Sequence, residues 1–565
     1  MGLQAEIEGL ARAIVAVRSG AIPPEEFRRI RVIQGIYPIR GGADRYLLRV
    51  RIPLGRPSPS QLRSIADASD RFASGRLVHL TMRQDVHIYG VGMRDIPEAL
   101  TFLSERGLTT REACGDTVRN IVVCPFAGIA RDERFDIAPY AEALGRYLLR
   151  NSLTQKLPRK FKIAFEGCDE DHVGLAWQDI GVRGILEGDG RPGFRLNLAG
   201  GLGALPQAGI ELEPFTSASD LGATVEAVLR LFDRLGDRQR RGRARLKFVA
   251  LSMGEHAFRE AVLAERRAME ARESGSRVRF PEPVVRPPEF PAGEIPPGEW
   301  PGTIFQKQRG VVAVPLRVPL ADLSPGTLRL LADLLEETGA TGVFTPWQGI
   351  LITNVPENLA RGLTGKAREA GFEPPAAVIL TRCAGAETCT VGTTGARSLA
   401  ALIEKELVSR AEPHGSTHRA IRMGISGCAN GCGRHMVADI GLQGVSRTVA
   451  GRGEGAGSLA PHYMLFLGGG PEGCGGVRFG TRVGRIPARR VSEAVRRLLA
   501  VLRGEAIPGE RARETISRLG ASPFHAVLGE LLEPPPESFS DEDFLDLGVP
   551  RPVPFPPDRS GPRAP

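Results

Sequence analysis

The sequence predicts an α+β fold assembled from two duplicated units, and three observations lead to this class. A proline-rich stretch near the middle of the 565-residue chain separates two halves. A strand, helix, strand pattern occurs once in each half, and a second shared segment follows it in each half. Repeats at so long a period indicate duplicated domains and not a solenoid.

The chain begins with an amphipathic pattern, "MGLQAEIEGLARAIVAVRSG", which ends at Gly20. Glu6 and Glu8 interrupt its apolar positions, so it lacks the continuous apolar core of an export signal. No run of about 18 apolar residues occurs elsewhere in the chain. We therefore expect an N-terminal helical segment over 1–35, a cytoplasmic protein and no membrane partner.

The first duplicated segment is "RIPLGRPSPSQLRSIAD" from Arg51, which aligns without a gap with "RVPLADLSPGTLRLLAD" from Arg317. Both copies have an apolar strand end, a Ser-Pro that opens a helix, and leucines at helical spacing. Each copy then continues into another strand. The sequence predicts that residues 36–105 and 303–372 are two half-domains of one joint domain.

The second duplicated segment is "KFKIAFEGCDEDHVGLAWQDIGVRGI", which aligns with "AIRMGISGCANGCGRHMVADIGLQGV". Cys168 aligns with Cys428, and His172 aligns with Cys432. Two further α/β lobes are predicted, over 106–272 and 373–532, and cysteines that one copy has lost indicate that the two lobes differ in chemistry.

Two stretches read as connections between or beyond these domains. Residues 273–302 are so rich in proline that an extended linker is predicted. Residues 533–565 predict a poorly ordered tail with one short apolar segment that can dock on the body.

Composition favours anionic partners other than nucleic acid. The formal charge is +9, while aromatic residues make up only 6% of the chain. The densest basic stretch, "DRQRRGRARLK", follows an apolar helical pattern and indicates a solvated helix end. Charge alone leaves open an acidic protein, a polycarboxylate cofactor or an oxyanion substrate.

Four of the eight cysteines form two close pairs, Cys383 with Cys389 and Cys428 with Cys432. The spacings match neither tight zinc knuckles nor haem attachment, and glycine-rich surroundings suit an iron–sulfur cube. If 428–432 form a helical turn, both sulfurs project from one face. The remaining cysteines are expected to be buried apolar residues: Cys114, Cys124, Cys168 and Cys474.

"TRCAGAETC" and "GCANGCG" resemble the cysteine motifs of the siroheme-containing nitrite and sulfite reductase family, and the resemblance extends over nearly the whole chain. It implies that Cys383, Cys389, Cys428 and Cys432 hold a [4Fe-4S] cluster, and that Cys432 is also the axial ligand of the siroheme iron. It further implies that the joint domain consists of ferredoxin-like half-domains, and that the two lobes are related by a pseudo-twofold axis around the cofactors.

Siroheme and its substrates are anions, so the resemblance also implies a set of basic residues. Those expected where the substrate anion binds are Arg83, Arg119, Lys160 and Lys162. Those expected to contact the cofactors are Arg83, Arg119, Asn120, Arg159 and Asn430. In the duplicated half-domain, Trp347 beside Gln348 replaces Arg83 beside Gln84, which indicates that one copy alone binds anions. His435 and His172 are expected to pack or hydrogen-bond, without a metal.

The function that the resemblance implies is six-electron reduction of sulfite to sulfide, with electrons from ferredoxin, because no flavin or nicotinamide domain is apparent. Lys162 favours sulfite, since the more highly charged anion gains more from a second ammonium group. "GDTVRN" and "FAGI" are similar to nitrite-type members, so a ferredoxin-dependent nitrite reductase is the alternative. A non-enzymatic iron–sulfur or zinc-binding module would need the cysteines but not the basic residues.

Overall fold

The computed structural model describes residues 3–42, 44–188, 190–271, 278–282, 284–285, 303–408, 420–449, 458–473 and 475–548. The predicted linker over 273–302 lies outside these residues except at 278–282 and 284–285, and the predicted tail lies outside them beyond 548. Cys474 is also outside the described residues. Among the described helices, none combines the length and the apolar character needed to cross a membrane.

The chain divides into two compact units. The first comprises Met1–Gly201, Gln207–Glu373 and Gly473–Gly476, and the second comprises Leu202–Pro206, Pro374–Glu472 and Val477–Pro565.

The first unit contains the joint domain and the first lobe. Its helices are α1 (Leu3–Arg18), α2 (Pro24–Ile33), α3 (Pro59–Phe72), α4 (Ile96–Ser104), α5 (Ala138–Leu148), α6 (Leu221–Leu235), α7 (Leu246–Met253), α8 (Glu255–Ala271), α9 (Pro325–Thr338) and α10 (Glu357–Glu369). Its strands are β1 (Ile36–Pro38), β2 (Arg45–Val50), β3 (Val78–Leu80), β4 (Val86–Gly92), β5 (Val122–Val123), β6 (Ile163–Glu166), β7 (Ile180–Leu186), β8 (Pro192–Leu198), β9 (Ile210–Glu211), β10 (Thr216–Ser217), β11 (Ile304–Phe305), β12 (Val311–Leu316), β13 (Asp322–Leu323), β14 (Thr341–Phe344) and β15 (Ile350–Pro356).

The two predicted half-domains form sheets of order β1-β2-β4-β3-β13 and β11-β12-β15-β14. Strand β13 comes from the second copy and pairs with β3 of the first, so the copies share a sheet. Both repeated helices begin as predicted: the Ser58 hydroxyl accepts the Gln61 N–H at 3.1 Å, and the Ser324 hydroxyl accepts the Thr327 N–H at 3.0 Å. The duplication of a strand, helix, strand unit is confirmed.

Reciprocal ion pairs join helices α3 and α9. Arg63 binds Asp333 and Glu336, each at 2.6 Å. The aligned Arg329 binds Asp67 at 2.6 Å and Asp70 at 2.8 Å. The apolar faces of both helices lie in a single core, which includes Leu62, Ile65, Leu328 and Leu331. The half-domains therefore pack as one body, with the same contacts made in both directions.

The first lobe is built on the sheet β10-β8-β7-β6-β5, with β9 paired to β8. Strands β5, β6 and β7 run parallel, and β8 returns antiparallel to β7. Helices α6 and α8 cover this sheet with buried apolar residues such as Val225, Phe232 and Phe258.

The second unit contains the second lobe. Its helices are α11 (Ala396–Ile403), α12 (Val491–Gly504), α13 (Ala512–Leu519) and α14 (Ser522–Leu528), and its strands are β16 (Val378–Arg382), β17 (Ile421–Ser426), β18 (Ile440–Val449), β19 (Ser458–Leu467), β20 (Gly470–Glu472), β21 (Gly476–Arg478) and β22 (Thr481–Pro487). The main sheet has the order β16-β17-β18-β19-β22.

The two lobes repeat the same strand register, as the second alignment predicts. Ile163 lies opposite Ile180 in the first lobe, and the aligned Met423 lies opposite Ile440 in the second. An aspartate clamps the same position in each: Asp179 accepts the Lys162 backbone N–H at 2.9 Å, and Asp439 accepts the Arg422 N–H at 2.7 Å.

Within the predicted tail, residues 533–548 contain short 3₁₀ turns at Pro536–Ser538 and Asp541–Phe544. Phe539 is buried against Ala460 and Val449 of the second lobe. This part of the tail therefore packs on the body through its apolar residues.

Candidate functional site

The first cysteine pair lies in a tight turn directly after β16. The Cys383 backbone N–H donates to the Ile425 carbonyl at 3.0 Å, which continues the pairing of β16 with β17. The Cys383 sulfur accepts the N–H of Gly427 at 3.1 Å and that of Gly385 at 3.4 Å. The Cys389 N–H donates to the Gly385 carbonyl at 2.8 Å and closes the turn. Both cysteines are thereby held at the end of this strand pair.

The second pair follows β17 in a glycine-rich turn. Gly431 has a φ of 69°, which is left-handed, so residues 428–432 do not form the helical turn that would place both sulfurs on one face. The backbone and side-chain amides of Asn430 lie close to the Cys428 sulfur and lower the pKa of this thiol, against the larger raising effect of burial. Asn430, expected to contact a cofactor, thus contacts a candidate metal ligand.

Close backbone approach explains the glycines on either side of this turn. A Cβ at Gly433 would lie 1.8 Å from the Ile425 carbonyl oxygen, and one at Gly427 would lie 2.6 Å from that of Thr394. The Gly427 carbonyl accepts the N–H groups of Thr393 at 2.7 Å and Thr394 at 3.1 Å. These contacts tie the two cysteine turns together.

Cys389 and Cys432 both lie within electrostatic range of Cys383 and of Cys428. Burial raises the pKa of the Cys383 thiol, and the neighbouring Cys432 and Cys389 raise it further. Burial also raises the pKa of Cys428, with the same two neighbours contributing. Such thiols keep their protons unless a bound cation displaces them, and four converging thiolates fit an iron–sulfur cluster. Cys432 is exposed, so its sulfur can also face a second group.

The first cysteine turn is held in place by hydrogen bonds to the start of α11 and to the packed part of the tail. The Gly395 N–H donates to Asp546 at 2.7 Å, and the Ser398 N–H donates to Glu387 at 2.7 Å. The Tyr463 hydroxyl donates to the Gly395 carbonyl at 2.9 Å. These buried contacts fix the segment that follows Cys389.

In the first unit, the structure brings the predicted basic residues onto adjacent segments. The Arg119 N–H donates to the Phe161 carbonyl at 2.9 Å, so Arg119 lies beside the stretch that carries Lys160 and Lys162. Phe161 is buried, and the two lysines on either side of it are half-buried. Residues two apart on an extended chain point to the same side. Lys160 and Lys162 therefore share one face.

Arg83 and Asn120 lock together. The Arg83 guanidinium donates to the Asn120 carbonyl at 2.5 Å and to the Ile163 carbonyl at 3.3 Å. In return, the Asn120 amide donates to the Arg83 carbonyl at 3.2 Å. Arg159 forms an ion pair with Asp116 at 3.1 Å. Arg83 thus joins the turn between β3 and β4 to the strands of the first lobe.

The family model of the nitrite and sulphite reductase 4Fe-4S domain matches residues 114–270 and 378–535 of this chain. These two ranges make up more than half of the chain. The nitrite/sulfite reductase ferredoxin-like half domain matches residues 37–105 and 304–369. The chain belongs to the nitrite and sulphite reductase family. Its mixed α and β fold with two ferredoxin-like half-domains agrees with the predicted class.

The named relatives of this nitrite and sulphite reductase include both nitrite reductases and sulfite reductases. The assimilatory ferredoxin-dependent nitrite reductase of Haloferax mediterranei is 26% identical over 88% of this chain and 86% of its own. The ferredoxin sulfite reductase of Mycobacterium tuberculosis strain H37Rv is 28% identical over 75% of this chain and 73% of its own. The chloroplastic ferredoxin–nitrite reductase of Oryza sativa is 27% identical over 75% and 69%, respectively.

Among solved structures, the Mycobacterium tuberculosis NirA protein matches this reductase with a TM-score of 0.75. At 24% identity it covers 92% of this chain and 97% of its own. The two proteins therefore share a fold over nearly their whole lengths.

Two charged residues near Arg119, Arg49 and Asp85, are not among the site residues predicted from the sequence. Arg49 on β2 donates to the Ala113 carbonyl at 3.1 Å, and Arg119 donates to the same carbonyl at 3.0 Å. Asp85 is buried nearby, and burial raises its pKa to about 6 against the lowering effect of Arg49 and other arginines. The available signal was Arg49 itself, a charged residue in an apolar strand whose aligned residue is Pro315.

The two histidines beside the aligned cysteine positions differ in their surroundings. His435 is fully buried, and its Nδ1 lies 2.9 Å from the Ser426 hydroxyl. Burial lowers the pKa of His435 to about 4. This confirms that His435 packs and hydrogen-bonds. His172, in contrast, lies among two cysteines and a glutamate in the first lobe.

Proposed function

We propose that this chain reduces sulfite to sulfide in a six-electron reaction, using siroheme and a [4Fe-4S] cluster. The observation that carries the proposal is the convergence of four cysteine sulfurs in the part of the chain that the 4Fe-4S domain matches. The basic residues of the first lobe favour an enzyme that reduces anions over a simple electron carrier.

In this proposal Cys383, Cys389, Cys428 and Cys432 would hold the cluster, and Cys432 would also bind the siroheme iron. When bound, these groups would bind the anion at iron and deliver electrons one at a time. Asn430 lies beside the Cys428 sulfur and favours its ionised form. Arg83, Arg119, Asn120 and Arg159 supply donors for the carboxylates of the cofactor.

Lys160, Lys162, Arg119 and Arg83 bind and orient the substrate anion. Fixed cations offset the charge of an oxyanion that enters a site with little water. Loss of each oxygen as water consumes protons, and the two ammonium groups can hold protons at the face where the anion lies. Arg49 belongs to the same set because its guanidinium shares an acceptor with that of Arg119.

Sulfite is the favoured substrate because of Lys162. A second ammonium group on the same face as Lys160 stabilises a doubly charged anion more than a singly charged one. Nitrite is the second candidate, since the named relative with the longest alignment given above is a nitrite reductase.

Steady-state reduction of both anions by reduced methyl viologen tests the assignment. We expect kcat/KM for sulfite to exceed that for nitrite. Lys162→Asn should shift the ratio of the two constants toward nitrite by about tenfold, equivalent to about 1.4 kcal/mol. A wild-type kcat/KM that is clearly higher for nitrite would reverse the assignment.

We further propose ferredoxin as the electron donor and the cytoplasm as the location. A protein with formal charge +9 attracts a small acidic carrier electrostatically. None of the seven described cysteines forms a disulfide, which suits a reducing compartment.

A further inference from the structure

A separate group of metal-ligating side chains lies in the first lobe, at the end of β6. Cys124, Glu166, Cys168 and His172 each place one ligand atom within 4.8 Å of all the others. The first three are 2%, 0% and 3% exposed, respectively. None of these four residues has a role in the proposed reduction.

The distances within this group match a tetrahedral zinc site. The sulfurs of Cys124 and Cys168 are 3.6 Å apart, the Cys124 sulfur is 3.5 Å from His172 Nδ1, and that nitrogen is 3.4 Å from Glu166 Oε2. With usual zinc–ligand bond lengths, a tetrahedron separates two sulfurs by roughly 3.8 Å, sulfur from nitrogen by roughly 3.5 Å, and nitrogen from oxygen by roughly 3.4 Å. The three observed separations agree with these values.

The backbone explains why the four side chains meet. The Cys124 N–H donates to the Phe165 carbonyl at 2.9 Å, and in the second lobe the Cys383 N–H donates to Ile425, the residue that aligns with Phe165. Cys124 therefore takes the place that Cys383 takes in the other lobe. Since Cys168 and His172 align with Cys428 and Cys432, three ligand positions are shared by the two lobes.

Hydrogen bonds hold the ligands in place. Glu166 Oε1 accepts the N–H groups of Gly167 and Cys168, both at 3.0 Å, and Oε2 accepts the His172 N–H at 2.7 Å. The Phe126 ring packs edge-on against the His172 ring, with centroids 4.8 Å apart. Such support around the ligands is typical of metal sites.

A nearby arginine offsets the charge of the occupied site. Two thiolates and one carboxylate around a divalent ion leave one net negative charge. Arg183 pairs opposite Glu166 in the sheet and is 8% exposed. Its guanidinium donates to the carbonyls of Cys168 and, at 3.3 Å, Asp169. The positive charge is thus buried beside the ligand loop.

We propose that Cys124, Glu166, Cys168 and His172 bind one Zn²⁺ as a structural site of the first lobe. Thiolate, imidazole and carboxylate ligands in a tight tetrahedron favour zinc over a hard cation or a cube, whose cysteines need room for sulfide. Four protein ligands leave no open position for a substrate. The ion ties the ends of β5 and β6 to the loop that follows β6.

Zinc analysis of the tag-free holoenzyme tests this site independently of the reductase activity. We expect about one zinc per chain, and a zinc K-edge absorption spectrum with two sulfurs at about 2.3 Å and two nitrogen or oxygen ligands at about 2.0–2.2 Å. Protein that remains zinc-free after dialysis against zinc would overturn the proposal. A zinc coordination shell without sulfur would also overturn the proposal. The same holds for a Cys124–Cys168 disulfide found in a peptide map of the unreduced protein.

Variants separate the site from general folding defects. His172→Ala should lower zinc affinity by more than about 100-fold in competition with a chromophoric chelator, whereas His172→Cys should retain zinc. Cys114→Ser is the matched control, because Cys114 is fully buried in the same unit but outside the tetrad, and it should keep its zinc. Unchanged zinc affinity in His172→Ala would contradict the assignment.

Discussion

In the first lobe, Cys124, Cys168 and His172 are packed at 3.5–3.6 Å from neighbouring ligand atoms, in a largely buried pocket. In the second lobe, the corresponding Cys383 and Cys428 are partly exposed and Cys432 is exposed. The strand register and the aspartate clamp are the same in both lobes. The difference shows that a duplicated backbone keeps ligand positions while side chains and glycines decide which metal centre they can hold.

Glycine content is the physical origin of this difference. The second lobe has Gly431 in the left-handed region between its last two cysteines, where the first lobe has Asp171 before His172. Asp171 accepts three successive N–H groups, from Val173, Gly174 and Leu175, which fixes the conformation of this loop. The first lobe thus closes over one ion, and the second stays open to larger groups.

The largest effect should come from paired substitutions at the aligned cysteines. Cys428→Ala should remove cluster iron and lower kcat/KM by at least about 10³-fold, equivalent to about 4 kcal/mol. Cys168→Ala should remove zinc and leave iron. Iron and zinc per chain measured for both variants check this, and loss of the same metal from both would refute two distinct centres.

The aspartate clamps should differ in strength despite their equivalent positions. Asp179 also forms a buried ion pair with Arg245 at 2.8 Å, so Asp179→Asn should lower the free energy of unfolding by about 3–5 kcal/mol. Burial raises the pKa of Asp439, so this carboxyl gains less from ionising, and Asp439→Asn should cost about 1–2 kcal/mol. Urea denaturation of both variants measures the difference. Equal losses of unfolding free energy would contradict the claim that the two aspartates contribute unequally.

Much of the architecture follows from the sequence because aligned residues occupy aligned positions. Ser58 and Ser324 cap equivalent helices, and Arg63 and Arg329 make reciprocal pairs. The clustering of four cysteines could be predicted from their spacing. Their turn could not, because one left-handed glycine redirects it and outweighs helical spacing.

The zinc tetrad escaped the sequence analysis for a different reason. More than forty residues separate Cys124 from Cys168, and only the parallel pairing of β5 with β6 brings them together. The alignment of Cys168 and His172 with two candidate cluster ligands was a signal, but a buried thiol is usually an apolar residue. Arg49 was missed because a charge in a short strand is commonly a surface residue.

A buried carboxyl should make the first lobe sensitive to pH. Glu133 pairs with Lys307 at 2.5 Å, yet burial raises its pKa from 4.5 to about 7. The folded state therefore binds this proton more tightly than the unfolded state, and stability is lost as pH rises from 4.5 to 7. Relative to Glu133→Gln, the wild type should lose roughly 3 kcal/mol over this range. Parallel slopes of unfolding free energy against pH would contradict the assignment.

The smallest effects should come from the symmetric helix pair. Arg63→Ala and Arg329→Ala remove equivalent, partly exposed ion pairs, so each should lower the free energy of unfolding by less than about 1 kcal/mol. Urea denaturation should give the same value for both within about 0.5 kcal/mol. A large difference between the two losses of unfolding free energy would show that the two ion pairs are not energetically equivalent, although their contacts are the same.

The absorption spectrum of the purified holoprotein, recorded before and after addition of sulfite, tests the central claim most directly. The account predicts intense Soret and red bands from siroheme in the wild type, a shift of these bands with sulfite, and loss of the normal spectrum in Cys432→Ala. A colourless wild-type protein, or siroheme bands unchanged by Cys432→Ala, would contradict it.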